Sequence, residues 1–137
     1  MSVVNLYVYT NIKGIGKKKG KYIYLLETET SKGLATIYDI KDIEAIKDVA
    51  ELTAIAEATK RINDKTTELN IYITSESLYN NLRLLLKVWA KRNFCKADGR
   101  RLSYWELWET VYKNTCIINT RYSLKTHSYS NWLINQL

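Results

Sequence analysis

The chain has 137 residues and a mass of 16.0 kDa, which fits one domain of common size with a hydrophobic core. Hydrophobic residues make up 46% of it, which argues against overall disorder, and it contains no apolar run of the length that a membrane span needs. Lys and Arg number 21 against 14 Asp and Glu, and the resulting net charge of +7 favours a polyanionic partner such as nucleic acid.

Two further properties set expectations for the whole chain. The N-terminal stretch "MSVVNLYVYT" lacks the basic segment and cleavage site of a signal peptide, so we expect a single domain over residues 1–137 with a cytoplasmic location. Cys95 and Cys116 have no metal-ligand spacing, and the single His127 is far from both in sequence. We therefore expect ordinary free thiols in a reducing compartment.

Hydrophobic periodicity predicts an ordered series of strands and helices. Strands are predicted at residues 3–9, 22–30, 34–40, 68–75 and 118–124, helices at residues 48–64, 76–93 and 104–116, and a short helix or tail at residues 130–137. Asp48 is expected to be an N-cap or first-turn carboxylate, and Ser103 is expected to cap the third helix. The element order β-β-β-α-β-α-α-β-α predicts one α/β domain with a five-stranded mixed sheet and helices on both faces.

Five stretches with distinctive residues follow one another along this pattern. They are "YVYTNIKG" (7–14), "AELTAIAEA" (50–58), "IYITSESLYNNL" (71–82), "WAKRNFCKADGRRLSYWELWETV" (89–111) and "THSYSNWLIN" (126–135). In this order they resemble ribonuclease H of type I, within the ribonuclease H-like superfamily. The resemblance covers nearly the whole chain and implies hydrolysis of the RNA strand of an RNA/DNA hybrid.

The resemblance also implies a metal site. In the family, four carboxylates hold two Mg²⁺ ions about 4 Å apart, and the ions activate water and stabilise the leaving oxygen. The corresponding positions here are Asn11, Glu51, Glu76 and Asn135, while His127 corresponds to a flexible histidine that assists product release. The expected cofactor is Mg²⁺ or Mn²⁺, bound weakly or absent, with Glu51 and Glu76 as principal ligands and the two Asn residues as weak ones.

These four positions argue against efficient catalysis. An Asn carbonyl contributes a dipole where a carboxylate would contribute a full charge, and Glu in place of Asp adds a methylene and a rotor. The two Asn residues arise either from natural loss of catalysis or from engineered Asp-to-Asn replacement, and Glu76 favours natural loss. A single His near a C-terminus is usually a solvated or hydrogen-bonded side chain, and without competent metals the product-release role of His127 has little to act on.

Nucleic-acid binding does not depend on the metals. A basic cluster lies between residues 87 and 101, where aromatic side chains interleave with the charges: Lys87, Trp89, Lys91, Arg92, Phe94, Lys96, Arg100 and Arg101. The rings of Trp89 and Trp108 suit core burial better than contact. Further candidate contacts near the site are Lys13, Lys47, Ser77 and Asn131, with Gly14 and Asp48 beside them. Lys17, Lys18 and Lys19 form either a second patch or a solubilising turn.

The leading hypothesis is a monomeric ribonuclease H-like protein that binds RNA/DNA hybrid, or other duplex nucleic acid, and cleaves it weakly or not at all. One alternative is an active metal-dependent endoribonuclease, or an engineered Asp-to-Asn form of one. A second alternative is a protein-interaction domain like the connection domains of reverse transcriptases, because 11 Tyr and four Trp suit an interface as well as a core.

Overall fold

A computed structural model describes residues 2–63 and 65–137 of the chain. Met1 and Asp64, where the predicted domain begins and the first predicted helix ends, lie outside the described residues. The five strands are β1 (Ser2–Thr10), β2 (Lys18–Thr30), β3 (Gly33–Ala45), β4 (Thr66–Tyr72) and β5 (Asn119–Ser123). They form one sheet in the order β3-β2-β1-β4-β5.

The sheet is mixed, because its two halves are connected differently. The first three strands form an antiparallel meander, in which β1 pairs with β2 and β2 pairs with β3. β4 lies parallel to β1 on the other side, and β5 lies parallel to β4. The carboxyl ends of β1, β4 and β5 therefore meet at one edge of the sheet, which is where sites form in such folds.

The helices are α1 (Lys47–Thr59), α2 (Glu76–Asn80), α3 (Leu86–Lys91), α4 (Trp105–Thr115) and α5 (Ser130–Gln136). A π-helical turn, Asn81–Leu85, joins α2 to α3, so residues 76–91 form one continuous helical segment. The predicted order of elements and the mixed five-stranded sheet are both confirmed. No helix in the described part of the chain is long and apolar enough to cross a membrane.

Side chains alternate across the central strand β1, which explains its nearly continuous apolar sequence. Leu6 and Val8 are fully buried in the larger core, which lies under α1, α3 and α4. Tyr7 points into a smaller core on the opposite face, where it packs with Ile23, Leu25 and Leu133 of α5. The sheet is therefore covered on both faces, as predicted.

One predicted cap is wrong. The residue that precedes α4 is Tyr104, whose φ of 59° puts it in the left-handed region and which makes no side-chain capping bond. Ser103 lies one residue earlier and is exposed. The sequence signal failed because the chain enters α4 through this left-handed residue, which moves Ser103 out of the capping position. Asp48 takes the first-turn option of its prediction, since Ile46 is the N-cap of α1.

Candidate functional site

Glu51 lies at the centre of the predicted site and is fully buried, with 0% of its surface exposed. It projects from α1 toward the segment that follows β4. Its Oε1 accepts hydrogen bonds from the backbone N–H groups of Thr74 and Ser75, each at 3.1 Å, and its Oε2 accepts one from the Thr74 hydroxyl. Burial raises the pKa of Glu51, and the Thr74 and Ser75 hydrogen bonds and the charge of Lys47 oppose that rise.

Asp48 lies one helical turn before Glu51 and contacts the same segment. Its Oδ1 accepts a hydrogen bond from the Ser75 hydroxyl, and its Oδ2 accepts one from the Ser77 hydroxyl. Ser75 is also the N-cap of α2, because its Oγ accepts from the Leu78 N–H at 3.2 Å. Two carboxylates on α1 therefore hold the start of α2 through side-chain and backbone hydrogen bonds.

The structure thus brings Asp48, and not only Glu51, into the site. Asp48 was predicted from the sequence as a nucleic-acid contact, and its hydrogen bonds to Ser75 and Ser77 were not predicted. The spacing of three residues between Asp48 and Glu51 could have indicated the shared site, because it puts both side chains on one side of α1. Glu76 is the first residue of α2 and is exposed.

At the end of β1, the side-chain oxygen of Asn11 takes the place of a backbone carbonyl in the pairing with β2. Its Oδ1 accepts a hydrogen bond from the Lys21 N–H at 2.8 Å, and its own N–H donates to the Lys21 carbonyl at 3.3 Å. Gly20 lies against it so closely that a Cβ there would come within 2.6 Å of both Asn11 Oδ1 and Ile12 Cγ1. The amide oxygen that the prediction offered to a metal therefore extends the pairing of β1 with β2.

Asn135 and His127 belong to the α5 side of the sheet. Asn135 is exposed on α5, as is Asn131. The His127 ring centroid lies 4.3 Å from that of Tyr7 and 5.2 Å from that of Tyr72. Its Nδ1 accepts a hydrogen bond from the Tyr129 N–H at 3.2 Å, and burial lowers its pKa while the Glu27 carboxylate opposes that shift. Tyr7 faces away from α1, so His127 packs on the sheet face opposite Glu51.

Glu27 is a buried carboxylate that the sequence did not single out. It lies on β2 with 8% of its surface exposed. Asn5 Nδ2 and the Tyr7 hydroxyl donate to its Oε1 at 3.0 and 3.1 Å, and the Tyr129 hydroxyl donates to its Oε2 at 2.6 Å. Burial raises its pKa, but these three hydrogen bonds together outweigh burial and leave the pKa below its usual value. No local motif could have revealed it, because its partners come from β1 and the C-terminal region.

The stretch that begins at the last residue of α3 and leads toward α4, called here the basic loop (residues 91–101), carries half of the predicted nucleic-acid contacts. An isolated antiparallel β-bridge between the backbones of Cys95 and Arg101 closes this loop. Inside it, the Lys96 N–H donates to the Arg100 carbonyl at 2.6 Å. Its five basic residues are exposed: Lys91, Arg92, Lys96, Arg100 and Arg101. Arg100 is paired with Asp98 at 2.7 Å, and the Arg101 guanidinium lies 4.0 Å from the centre of the Trp105 ring.

One aromatic member of that cluster is not a surface residue. Phe94 is only 5% exposed and packs in the larger core, so the predicted contact of its ring with nucleic acid is wrong. Asn93 and Phe94 both have positive φ angles, 53° and 57°, and this left-handed pair turns the chain so that Phe94 points inward. Trp89 is half-buried edge-on against Trp108, at 4.9 Å between ring centres, in line with the core preference expected for both rings.

The remaining predicted contacts are spread over one turn and three helices. Lys13 is exposed in the turn after β1, where its carbonyl accepts a hydrogen bond from Lys18 Nζ at 2.6 Å. Lys47 is the partly exposed first residue of α1, and Ser77 is held by Asp48. Lys87 lies on α3 and lines a groove with Arg83 and Arg121. Lys87 therefore borders this groove and lies one helical turn from Lys91 of the basic loop.

The donor set does not fit a pair of dications. Two Mg²⁺ ions require several carboxylate oxygens that are free to coordinate them. All four carboxylate oxygens of Asp48 and Glu51 already accept hydrogen bonds from residues 74–77, and Asn11 Oδ1 accepts one from Lys21. Within residues 2–63 and 65–137, no group of three or more His, Cys, Asp or Glu side chains could hold a metal ion.

Comparison with curated sequences finds ribonucleases H, although no protein-family model matches the chain. Ribonuclease H of Rickettsia bellii is 29% identical over 72 residues, which are 53% of this chain and 46% of that protein. Ribonuclease H of Rickettsia canadensis is 28% identical over 71 residues, 52% of this chain and 45% of that protein. In both cases the match spans about half the length of the curated relative.

Solved structures extend the likeness to nearly the whole chain. LC9-RNase H1, a type 1 RNase H with the type 2 active-site motif, matches with a TM-score of 0.77 at 14% identity, over 98% of this chain and 70% of that one. The chain has the ribonuclease H type I fold. The foamy viral protease-reverse transcriptase in complex with RNA/DNA hybrid shares the ribonuclease H fold, with a TM-score of 0.60 at 14% identity over 98% of this chain and 18% of that one.

Proposed function

We propose that this ribonuclease H-like chain binds RNA/DNA hybrid through its basic loop and hydrolyses it weakly or not at all. The observation that carries the proposal is the state of the two α1 carboxylates that contact the segment after β4. Asp48 and Glu51 act as acceptors that fix the start of α2, and their oxygens are committed to protein donors. The site is therefore built to position a helix beside the sheet edge.

Binding is supported by the charge of the basic loop. Lys91, Arg92 and Lys96 are exposed, and none of them forms an ion pair with any residue that the structure describes. Free cations on this closed loop can contact phosphates and release counterions, which needs no metal. Structures of the foamy viral protein of the same fold were determined in complex with RNA/DNA hybrid and with dsDNA, which supports duplex nucleic acid, hybrid included, as the ligand class.

Weak catalysis is supported by the arrangement of the metal-ligand candidates. Glu51 is fully buried, so its oxygens are inaccessible to a hydrated ion. Asn11 supplies no charge and its oxygen bonds to Lys21, while Glu76 and Asn135 are exposed. We propose that Mg²⁺ or Mn²⁺ binds such a set weakly at most.

A hybrid-binding measurement tests the first part. We expect Arg92→Gln/Lys96→Gln to weaken binding of a blunt RNA/DNA hybrid and to reduce the salt slope by about 1.8, at about 0.9 per lost phosphate contact. Fluorescence anisotropy at several salt concentrations would measure both. Lys32→Gln is the matched control, because Lys32 is exposed in the turn between β2 and β3, at the opposite end of β1 from Asn11. Equal affinities and slopes for all three proteins would contradict the proposal.

A cleavage assay tests the second part. We expect labelled hybrid to survive with Mg²⁺ or Mn²⁺ as long in the presence of the wild type as with Glu51→Gln. Calorimetric titration should find no saturable divalent-ion binding at millimolar concentration. Robust turnover that Glu51→Gln abolishes would refute the proposal and favour the active endoribonuclease.

A further inference from the structure

A groove beside the edge strand β5 contains a second concentration of positive charge, apart from the basic loop. Two adjoining hollows, of about 570 and 490 Å³, share Tyr122 and run between the 76–91 helical segment and β5. The residues that characterise this β5 groove are Tyr79, Arg83, Lys87, Arg121, Tyr122 and Lys125. Among the described residues, no Asp or Glu lines either hollow.

The four cations of the β5 groove are free to bind an anion. Arg83, Lys87, Arg121 and Lys125 are all exposed, and none makes an ion pair within residues 2–63 and 65–137. Two of them lie on the helical segment and two on or just after β5, and all four line the two hollows. A row of unpaired cations with no acid beside them attracts a chain of phosphates more than a single anion.

The π-helical turn helps to align one wall of the groove. In an α-helix, a step of four residues rotates a side chain slightly more than one full turn around the helix axis. In the wider π-helical turn, the same step rotates it slightly less than one full turn. The turn Asn81–Leu85 therefore compensates the drift between Tyr79, Arg83 and Lys87, which keeps them on one side of the segment.

Aromatic rings add a surface on which bases can stack. The Arg83 guanidinium lies 5.0 Å from the centre of the partly exposed Tyr79 ring, and together they form a flat cationic platform. Tyr122 forms the floor and packs against the larger core, and burial raises its pKa to about 12, so it stays neutral. Stacking platforms between backbone-contacting cations are typical of proteins that bind single-stranded nucleic acid.

We infer that the β5 groove binds single-stranded nucleic acid, with phosphates on Arg83, Lys87, Arg121 and Lys125 and a base on the Tyr79–Arg83 platform. Residues 119–125 extend for about 20 Å at about 3.3 Å per residue, which accommodates several nucleotides. The hollows are lined by residues other than those of the basic loop, so the groove is a second site beside the one proposed for hybrid. An acidic peptide added along β5 is the rival occupant, but it would leave the stacking platform unused.

The test measures binding of labelled oligothymidine of about twelve nucleotides by fluorescence anisotropy. Arg83→Gln/Arg121→Gln should weaken this binding about tenfold and flatten its salt slope by about 1.4, at about 0.7 per lost contact. The same variant should bind blunt hybrid like the wild type. Arg92→Gln/Lys96→Gln is the matched control, with two cations removed from the basic loop, and should leave oligothymidine binding unchanged.

The outcomes separate this site from the proposed function. If the wild type does not bind blunt hybrid but Arg83→Gln/Arg121→Gln still weakens oligothymidine binding, the hybrid proposal fails and the β5 groove stands. If both double variants lower oligothymidine affinity equally, or neither does, the groove assignment is overturned.

Stacking and the rival ligand are tested with two further measurements. Tyr79→Ala should weaken oligothymidine binding about tenfold with no change of charge, whereas Tyr38→Ala, which removes an exposed ring from β3, should not. A labelled oligoglutamate of the same length should bind at least about tenfold more weakly than oligothymidine, because it cannot stack. Equal binding of the two polymers, or no effect of Tyr79→Ala, would overturn the inference. Thermal unfolding of each variant confirms that it is folded.

Discussion

Glu27 is a charged side chain held by neutral donors on the sheet face opposite the candidate site. Asn5, Tyr7 and Tyr129 all donate to it, and Asn5 in turn accepts from Asn70 Nδ2 at 3.0 Å. A buried carboxylate is tolerated only when its oxygens are satisfied in this way. Glu27 therefore ties the C-terminal region to β1 and β2.

Removing one of these donors should destabilise the fold. We expect Tyr129→Phe to lower the free energy of unfolding by about 2 kcal/mol, because a hydrogen bond to a charged, buried acceptor is lost. Tyr38→Phe makes the same chemical change on a ring that is 51% exposed and should have little effect. Urea denaturation of both variants measures the difference. Similar midpoints would show that the Tyr129 hydroxyl contributes nothing.

His127 gives the stability a dependence on pH. Burial lowers its pKa below 6.5 in the folded state, with Glu27 opposing. The unfolded chain thus takes up the proton first, so the contribution is complete above about pH 6.5 and is lost as the pH falls through the lowered pKa. The stability that Glu27 contributes is lost only at lower pH, because the pKa of Glu27 is lowered in the folded state. Glu51 changes the stability with pH in the opposite direction, because its pKa is raised.

We therefore expect the difference in stability between the wild type and His127→Gln to shrink as the pH is lowered from about 7.5 to about 5.5. Urea denaturation of both proteins at each pH isolates the histidine, because the other titrating groups are common to them. A constant difference across this range would mean that His127 titrates alike in the folded and unfolded states.

At the level of elements, the start of α2 depends on one serine. Ser75 caps the helix through Leu78, donates to Asp48, and presents its N–H to Glu51. The π-helical turn and α3 continue from this helix, so the position of one wall of the β5 groove follows from the Ser75 contacts.

Substitution of Ser75 and Ser103, the two candidate capping serines, should show which of them caps a helix. We expect Ser75→Ala to lower the free energy of unfolding by about 1 kcal/mol or more, because a cap and a carboxylate partner are both lost. Ser103→Ala should change it by less than about 0.5 kcal/mol, because Ser103 is exposed and does not cap α4. Thermal or urea unfolding would report both values, and equal losses would contradict the assignment of the cap.

The sequence predicted elements better than it predicted their ends. The helical spacing of Leu52 and Ile55 located α1, because burial of one face dominates that pattern. β3, in contrast, runs from Gly33 to Ala45 and not from 34 to 40, because pairing with β2 extends it beyond its apolar residues. Ser103 and Phe94 were misjudged because left-handed residues beside them redirect the chain, and no propensity encodes that geometry.

Candidate site residues were predictable only where the contact is local. Asp48 and Glu51 share one helix, so their common direction follows from spacing. The partners of Glu27 are separated from it by 22, 20 and 102 residues, and only the folded topology brings them together. The same holds for Asn11, whose oxygen is taken by a residue of the next strand.

At the scale of the whole molecule, the two proposed surfaces make a joint prediction. A hybrid with a single-stranded extension should bind more tightly than a blunt hybrid, because the basic loop and the β5 groove can be occupied together. The gain should disappear in Arg83→Gln/Arg121→Gln and persist in Lys32→Gln. Anisotropy with matched blunt and extended hybrids tests this. An extension that adds no affinity would mean that one molecule of nucleic acid cannot reach both surfaces.

Gly20 carries a consequence for how this chain can change in evolution. Its missing side chain leaves the space in which Asn11 reaches Lys21, since a Cβ would stand 2.6 Å from the Asn11 oxygen. A lineage that replaces Gly20 has to move Asn11 or Ile12 at the same step, so substitutions at these positions should occur together. Asn11 itself can become Asp without disturbing Gly20, because a carboxylate oxygen accepts the same hydrogen bond. Position 11 can therefore change between Asn and Asp independently, whereas a change at Gly20 is restricted by Asn11 and Ile12.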